Sequence, residues 1–195
     1  ERLPEYVRRF DEIVKANGTT AGYYGHASVG CLHIRPLIDL KGVEGVERMA
    51  AITDQISDLV LEFGGSMSGE HGDGLARSAL NEKMFGPNIY EAFRRVKGAF
   101  DPQGIMNPGK IVDAPSMTEN LKIGPDYKTL GLSTGFAFSQ EGGFAAAVEM
   151  CNGQGACRKI QGGTMCPSFM ATRDEEHSTR GRANALRAAI SGALP

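Results

Sequence analysis

Residues 19–38 read TTAGYYGHASVGCLHIRPLI, and this stretch decides the fold of the first half of the chain. Residues 19–24 and 31–38 are rich in β-branched, aromatic and other apolar side chains, a composition typical of strands. The glycine-containing segment 25–30 between them predicts a turn. We therefore expect two neighbouring strands joined by a short connection.

Apolar residues at helical spacing surround this stretch and predict the remaining elements. Helices are expected before Asn17, over 43–63, before Asp101, over about 141–150 and from about Gly181, with a short strand near 66–68. The pattern indicates an α+β fold in which helices cover a partial antiparallel sheet. The cysteine-containing end of the chain is expected to be small, mostly helical and irregular.

Composition narrows the class of protein. The 195 residues carry a formal net charge of −2 without a block of like charge, which argues against nucleic acid as the main partner. No apolar run approaches the roughly 18 residues that span a bilayer, and no signal peptide is recognisable. The four cysteines do not resemble a disulfide framework. We expect a cytoplasmic protein, with peripheral attachment to the inner membrane as the alternative.

Four polar side chains in the first half of the chain predict a metal site. His26 and His33 are seven residues apart, so in one strand they would point to opposite faces and converge only if segment 25–30 turns the chain. With Glu70 they form a ligand set suited to Zn²⁺, Mn²⁺ or Fe²⁺. His71 would then be free to act as a base. The alternative is structural histidines, with Glu70 capping a helix.

Three cysteines form a second candidate site. Cys151, Cys157 and Cys166 lie in CNGQGACRKIQGGTMCP, where the last cysteine precedes proline as in bacterial ferredoxins. The spacing C-x5-C-x8-C-P departs from C-x2-C-x2-C-x3-C-P, and three thiolates do not complete a four-cysteine shell. We expect a [4Fe–4S] cluster whose ligand set is incomplete here. The alternatives are a Zn²⁺ site with His177, or free thiols.

Four motifs occur in one order at coherent spacing. They are YGHASVGCLHIRP over 24–36, GGSMSGEHGDGL over 64–75, Phe85-Gly86-Pro87, and FDPQGIMNPGKIV over 100–112. Together they resemble the C-terminal half of the FAD-linked oxidase C-terminal domain of vanillyl-alcohol-oxidase-type flavoproteins, over about residues 1–113. Relatives include D-lactate dehydrogenases, the glycolate oxidase flavin subunit and D-2-hydroxyglutarate dehydrogenases.

The resemblance implies roles for particular residues. His26, His33 and Glu70 match the metal ligands of the family, and His71 matches its catalytic base. Asn107 matches a turn near the flavin, so FAD is expected as cofactor. The usual family sequence is G-H-x-G-D-G-N-L-H-x-N, and Arg35 stands where this sequence has its last asparagine. Arg35 is expected to meet a second substrate carboxylate, with a solvated or structural arginine as the alternative.

A second resemblance concerns the cysteine-containing end. The runs at 151–159, 165–168 and 177–183 are similar to an iron–sulfur segment fused after the flavin domain in large bacterial oxidoreductases. This predicts a cap domain over 1–113, a linker over 114–140 and the start of a ferredoxin-like domain over 141–195.

These expectations combine into a predicted function. The chain is expected to belong to an FAD- and iron–sulfur-dependent dehydrogenase that oxidises a D-2-hydroxy acid, D-2-hydroxyglutarate or D-lactate, and passes electrons to a quinone or a carrier protein. The alternatives are a non-catalytic electron-transfer or scaffold segment and a metal-dependent hydrolase. The first residue is not methionine and a helical pattern is unfinished at the end, so we expect an inactive piece of a longer polypeptide that can dimerise.

Overall fold

The structure, a computed structural model, describes residues 2–163 and 165–194. Glu1, Thr164 and Pro195, which fall within the predicted cap and cysteine segments, lie outside the described residues. The chain forms two compact units, Glu1–Asp126 and Tyr127–Pro195, each described by itself below. The domain boundaries expected from sequence stay a prediction.

The first unit contains five helices and two strands among its described residues. They are α1 (Leu3–Ala16), β1 (Ala21–His26), β2 (Cys31–Pro36), α2 (Val43–Glu62), α3 (Gly74–Arg77), α4 (Asn81–Phe85) and α5 (Pro87–Phe100). Proline in the first turn begins α1 and α5, where its missing N–H costs no helical hydrogen bond. The predicted helices α1, α2 and α5 are confirmed, and the α+β class with them.

The two strands pair antiparallel as a hairpin, with Ala21 opposite Pro36 and His26 opposite Cys31. Strand β1 extends two residues beyond the predicted range, because His26 still pairs with β2. The connection is therefore shorter than expected and consists of one helical turn at Ala27–Val29 followed by Gly30. Among residues 2–126 the sheet has these two strands, and the strand expected near 66–68 is a loop.

One face of the hairpin packs against α1 and α2. The buried core consists of Phe10, Val14, Ile52, Ile56, Leu59 and Val60. Ala21 of β1 and Ile34 of β2 pack against it. In α2 the buried residues recur at helical spacing, so one stripe of the helix faces the core while the rest is hydrated. Burial of this stripe holds the hairpin in place.

Among its described residues, the second unit contains three α-helices. They are α6 (Phe144–Glu149), α7 (Pro167–Thr172) and α8 (Thr179–Ile190). Helix α7 was not expected from the sequence, and neither were α3 and α4, because four to six residues are too few to show helical periodicity. Ser178 caps α8 by accepting a hydrogen bond from the Gly181 N–H at 2.8 Å. Within residues 2–163 and 165–194, no helix combines the length and the apolar character that crossing a membrane requires.

The core can be tested with a matched pair of valines. Val14 is fully buried and Val96 is 59% exposed, and both lie in helices. Val14→Ala removes two buried methyl groups, and we expect it to lower the free energy of unfolding by about 2 kcal/mol. Val96→Ala should leave it unchanged or raise it slightly, because alanine is the better helix former. Urea denaturation followed by circular dichroism measures both, and equal effects would contradict the assigned core.

Candidate active site

The face of the hairpin opposite the core carries the candidate site. Side chains alternate along a strand, so Tyr24 and His26 of β1 lie on the same face as His33 and Arg35 of β2. Residues paired across the two strands share a face, and His33 lies opposite Tyr24. His26 and His33 are thus diagonal neighbours, with ring centroids 5.5 Å apart. Because the turn reverses the chain, the two histidines lie on different strands, and their odd spacing no longer places them on opposite faces.

The loop after α2 brings a carboxylate to these imidazoles. Glu70 Oε1 lies 2.9 Å from His33 Nε2 and 3.0 Å from His71 Nε2, and Glu70 Oε2 lies 3.8 Å from His26 Nε2. The possible ligand atoms of His26, His33 and Glu70 all lie within 4.8 Å of one another. His71 is not part of that group, although it contacts the same carboxylate.

The histidines differ in exposure. The His33 side chain is 17% exposed, because the Tyr24 ring stacks on it at 5.0 Å between centroids and 17° between planes. The His26 and His71 side chains are 61% and 65% exposed. One imidazole is therefore held rigidly by packing, while the other two are open to a ligand from solvent.

Two glycines allow the backbone segments of the site to approach closely. A Cβ at Gly25 would lie 2.3 Å from the carbonyl oxygen of Cys31, closer than atoms can pack. A Cβ at Gly69 would lie 3.1 Å from Cys31 Sγ. Gly25 precedes His26 and Gly69 precedes Glu70, so both glycines set the positions of site residues.

A cavity of about 660 Å³ opens beside the histidines in the first unit. His33, His71, Tyr24 and three arginines, Arg2, Arg35 and Arg77, contribute to its lining. Arg35 places its guanidinium 5.0 Å from the centre of the Tyr24 ring. Arg77 donates from Nη2 to the Gly72 carbonyl oxygen at 2.9 Å, whereas its Nε is buried without a hydrogen-bond partner among the described residues. The cavity thus combines imidazoles with three cationic side chains.

The turn that contains Asn107 is fixed by a buried aspartate. The Asp101 side chain is 2% exposed and accepts hydrogen bonds from the N–H groups of Ile105 and Met106, each at 2.9 Å. The hydrogen bond from Lys97 contributes most to lowering the pKa of this carboxyl, whereas burial acts to raise it. Asn107 itself lies on the exposed tip with φ of 48°. The role expected for Asn107 at the flavin stays a prediction.

One cysteine of the second unit contacts the turn before helix α8, and the other two flank a loop that Arg180 of this helix contacts. Cys166 is buried, and its thiol donates to the His177 carbonyl oxygen at 3.4 Å. A backbone hydrogen bond from Phe169 holds the pKa of the Cys166 thiol below its usual value, with smaller help from Thr179. Cys151 and Cys157 are half-buried in the preceding loop. All three are free thiols.

The cysteines are not gathered around a single point at the spacing of zinc ligands. Sulfurs bound to one Zn²⁺ at 2.3 Å in a tetrahedron lie about 3.8 Å apart. In the part of the chain that the structure describes, Cys151, Cys157 and Cys166 do not form a group with ligand atoms within 4.8 Å, nor does His177 join them.

Comparison with known proteins defines the class of the first unit. The family described as FAD linked oxidases, C-terminal domain, matches residues 1–111. The chain belongs to this family, and the resemblance carried by its motifs is confirmed.

Particular relatives extend the similarity into the second unit. The chain is 37% identical over 190 residues to a D-2-hydroxyglutarate dehydrogenase of Pseudomonas putida and 34% identical over 194 residues to one of Escherichia coli. Each alignment covers 96% of this chain, and the chain spans 18% of the length of each of these relatives. A D-lactate dehydrogenase of Archaeoglobus fulgidus is 37% identical over 112 residues, which cover 57% of this chain and 24% of that relative.

Sequence reasoning missed several side chains that the structure places around the candidate sites. Tyr24 stacks on His33, Arg77 lines the cavity, and Asp101 fixes the turn of Asn107. An alternating strand pattern places Tyr24 and His26 on one face, and this signal was available from the sequence. For Arg77 and Asp101 no such signal exists, because their contacts depend on how loops fold.

The close approach at Gly25 yields a prediction with a control in the same strand. Gly25→Ala forces the two strands apart next to His26, and we expect it to lower the free energy of unfolding by about 1–3 kcal/mol. Gly22→Ala should have little effect, because a Cβ there meets nothing within 4 Å. Urea denaturation measures stability, and the His26 ring resonances in NMR spectra report displacement of the site. A Gly25→Ala variant as stable as Gly22→Ala would refute the proposed constraint.

Proposed function

We propose that this chain is part of an FAD- and iron–sulfur-dependent dehydrogenase that oxidises a D-2-hydroxy acid to the 2-oxo acid. D-2-Hydroxyglutarate and D-lactate are the candidate substrates, since they are named in its relatives. The observation that carries the proposal is the convergence of His26, His33 and Glu70 within 4.8 Å, beside a cavity lined by arginines.

The donor set fits a divalent cation. Two imidazole nitrogens and one carboxylate oxygen suit Zn²⁺, Mn²⁺ or Fe²⁺, and three protein ligands leave coordination positions for a substrate. His26, His33 and Glu70 would hold the ion. Tyr24 restricts rotation of the His33 ring by stacking on it, so one ligand is oriented before the ion binds.

His71 is the residue we assign as the base. Its Nε2 lies 3.0 Å from Glu70 Oε1, which orients the ring, and its side chain is 65% exposed. Because an Nε2–H that donates to Glu70 leaves the lone pair of the neutral ring on Nδ1, Nδ1 is the atom that would take the proton of a substrate hydroxyl. Imidazole is the side chain that most often serves as a general base.

The arginines of the cavity favour an anionic substrate. Arg35 and His33 both contact the Tyr24 ring, so the Arg35 guanidinium lies in the neighbourhood of the candidate ligands. We assign Arg35 to the second carboxylate of a short dicarboxylic acid. Arg77, which also lines the cavity, adds positive charge that favours an anionic substrate.

Cofactors complete the proposal. Asn107 on its exposed turn would contact FAD, and Cys151, Cys157 and Cys166 would supply three ligands of a [4Fe–4S] cluster, the remaining ligand coming from elsewhere. When bound, the cation would supply Lewis acidity, FAD would supply hydride acceptance and the cluster would supply single-electron transfer. A quinone or a carrier protein is the proposed final acceptor. A cytoplasmic or peripheral location and dimerisation also stay predictions.

The assignment of ligand and base is tested by two isosteric variants of the full-length protein. Glu70→Gln removes a ligand charge, and we expect loss of bound divalent metal together with loss of flavin reduction. His71→Asn should keep the metal while slowing flavin reduction by 10²–10⁴-fold, the order of magnitude typical of a lost general base. Metal analysis and anaerobic stopped-flow reduction by D-2-hydroxyglutarate measure the two effects. Reduction at the wild-type rate in His71→Asn would show that the base assignment is wrong, and turnover without FAD would favour a hydrolase.

The role of Arg35 is tested by comparing two substrates. Arg35→Asn removes a charged donor, and we expect kcat/KM for D-2-hydroxyglutarate to fall about 10- to 100-fold. The value for D-lactate, which lacks a second carboxylate, should change little. An equal loss for both acids would indicate a structural role instead, exerted through the Tyr24 ring.

A further inference from the structure

The cysteine loop of the second unit is tied to helix α8 by one arginine. Arg180, in the first turn of α8, donates from Nη1 to the Gly153 carbonyl oxygen at 3.1 Å. Gly153 lies between Cys151 and Cys157 in the sequence. The guanidinium therefore reaches across to the loop that carries two of the three thiols.

Glu175 fixes the other side of the same guanidinium. Its Oε1 accepts from Arg180 Nε at 2.8 Å and its Oε2 accepts from Arg180 Nη2 at 3.0 Å, a bidentate arrangement. The same Oε2 accepts from Arg158 Nη1 at 2.6 Å. Hydrogen bonding from Arg180 is the largest cause that lowers the pKa of Glu175 to about 2, so the carboxylate is ionised at neutral pH. Two guanidinium charges thus face one carboxylate charge, which leaves a net positive charge beside the loop.

The loop between Cys151 and Cys157 packs directly against the Arg180 guanidinium. A Cβ at Gly155 would lie 3.2 Å from Arg180 Nη1, and the hydrogen bond to Glu175 contributes most to raising the pKa of this arginine. The Arg180 side chain is 25% exposed, so water screens its charge less than that of a fully solvated arginine. Cys166 contacts the turn just before the same helix through its bond to the His177 carbonyl oxygen. Arg180 therefore contacts the loop that joins two of the candidate cluster ligands, and the third lies next to the beginning of the same helix.

We propose that Arg180 is a positioning residue for the iron–sulfur cluster, and that its charge, held in place by Glu175, raises the reduction potential of that cluster. The inference rests on the iron–sulfur part of the proposed function. Reduction adds negative charge to the cluster, and a fixed positive charge nearby stabilises the reduced form. The hydrogen bond to Gly153 also fixes the loop, so charge and geometry have to be separated by experiment.

The test uses the full-length protein reconstituted anaerobically with iron and sulfide. Arg180→Gln removes the charge, Arg180→Lys keeps it, and Arg173→Gln removes a charge from an exposed arginine of the same unit whose side chain contacts Met170 Sδ. Iron content is measured per protein, and the midpoint potential is measured by redox titration followed by electron paramagnetic resonance. We expect a more negative potential for Arg180→Gln, and values close to that of the wild type for Arg180→Lys and Arg173→Gln.

The outcomes separate this inference from the function on which it rests. A wild-type protein without an iron–sulfur signal would end the cluster assignment itself. A wild-type signal with an unchanged potential in Arg180→Gln, at full iron content, would overturn only the role of Arg180. If Arg180→Gln loses iron, the Arg180→Lys variant separates the two explanations. Normal iron content at the wild-type potential in Arg180→Lys supports a role of the positive charge. Loss of iron in Arg180→Lys as well shows that the role of Arg180 is purely structural.

Discussion

The antiparallel pairing of β1 and β2 is the constraint on which the first unit depends. Because side chains alternate along a strand, this pairing sends Ala21 and Ile34 to the core and leaves Tyr24, His26 and His33 on the opposite face. A slip of one residue in the register would exchange the two faces and expose the apolar set to water. The apolar side chains that stabilise the unit therefore also fix the positions of the imidazoles.

Helix α2 leads the chain back to the hairpin, and the loop after it carries the second half of the candidate site. Its buried stripe anchors it against α1, and the loop that follows carries Glu70 and His71 to the exposed face of the hairpin. Gly69 allows this loop to approach Cys31 closely. Core packing and site geometry are thus coupled through one helix, and the chemistry proposed for this unit depends on residues that never contact a ligand.

The second unit is organised differently. Its buried apolar side chains include Phe169 and Ile190, and its loops are held to its helices by polar contacts around Glu175. A small unit of this kind has little apolar area to bury, so ion pairs and any bound group contribute more to its order. The same polar contacts hold the loop between Cys151 and Cys157, which links the stability of this unit to the proposed cluster site.

The sequence by itself determined the α+β class, the long helices, the two strands and the family of the first unit, because hydrophobic periodicity and the spacing of motifs are local properties of the chain. It also singled out His26, His33, Glu70 and His71 as site residues. Only the tertiary structure decided that the first three approach one another closely, that Tyr24 stacks on His33, and that the loop at 66–68 is not a strand. It likewise placed Arg180 beside the cysteine loop. These contacts join residues far apart in the chain, and their distances follow from register and packing, which no local pattern encodes.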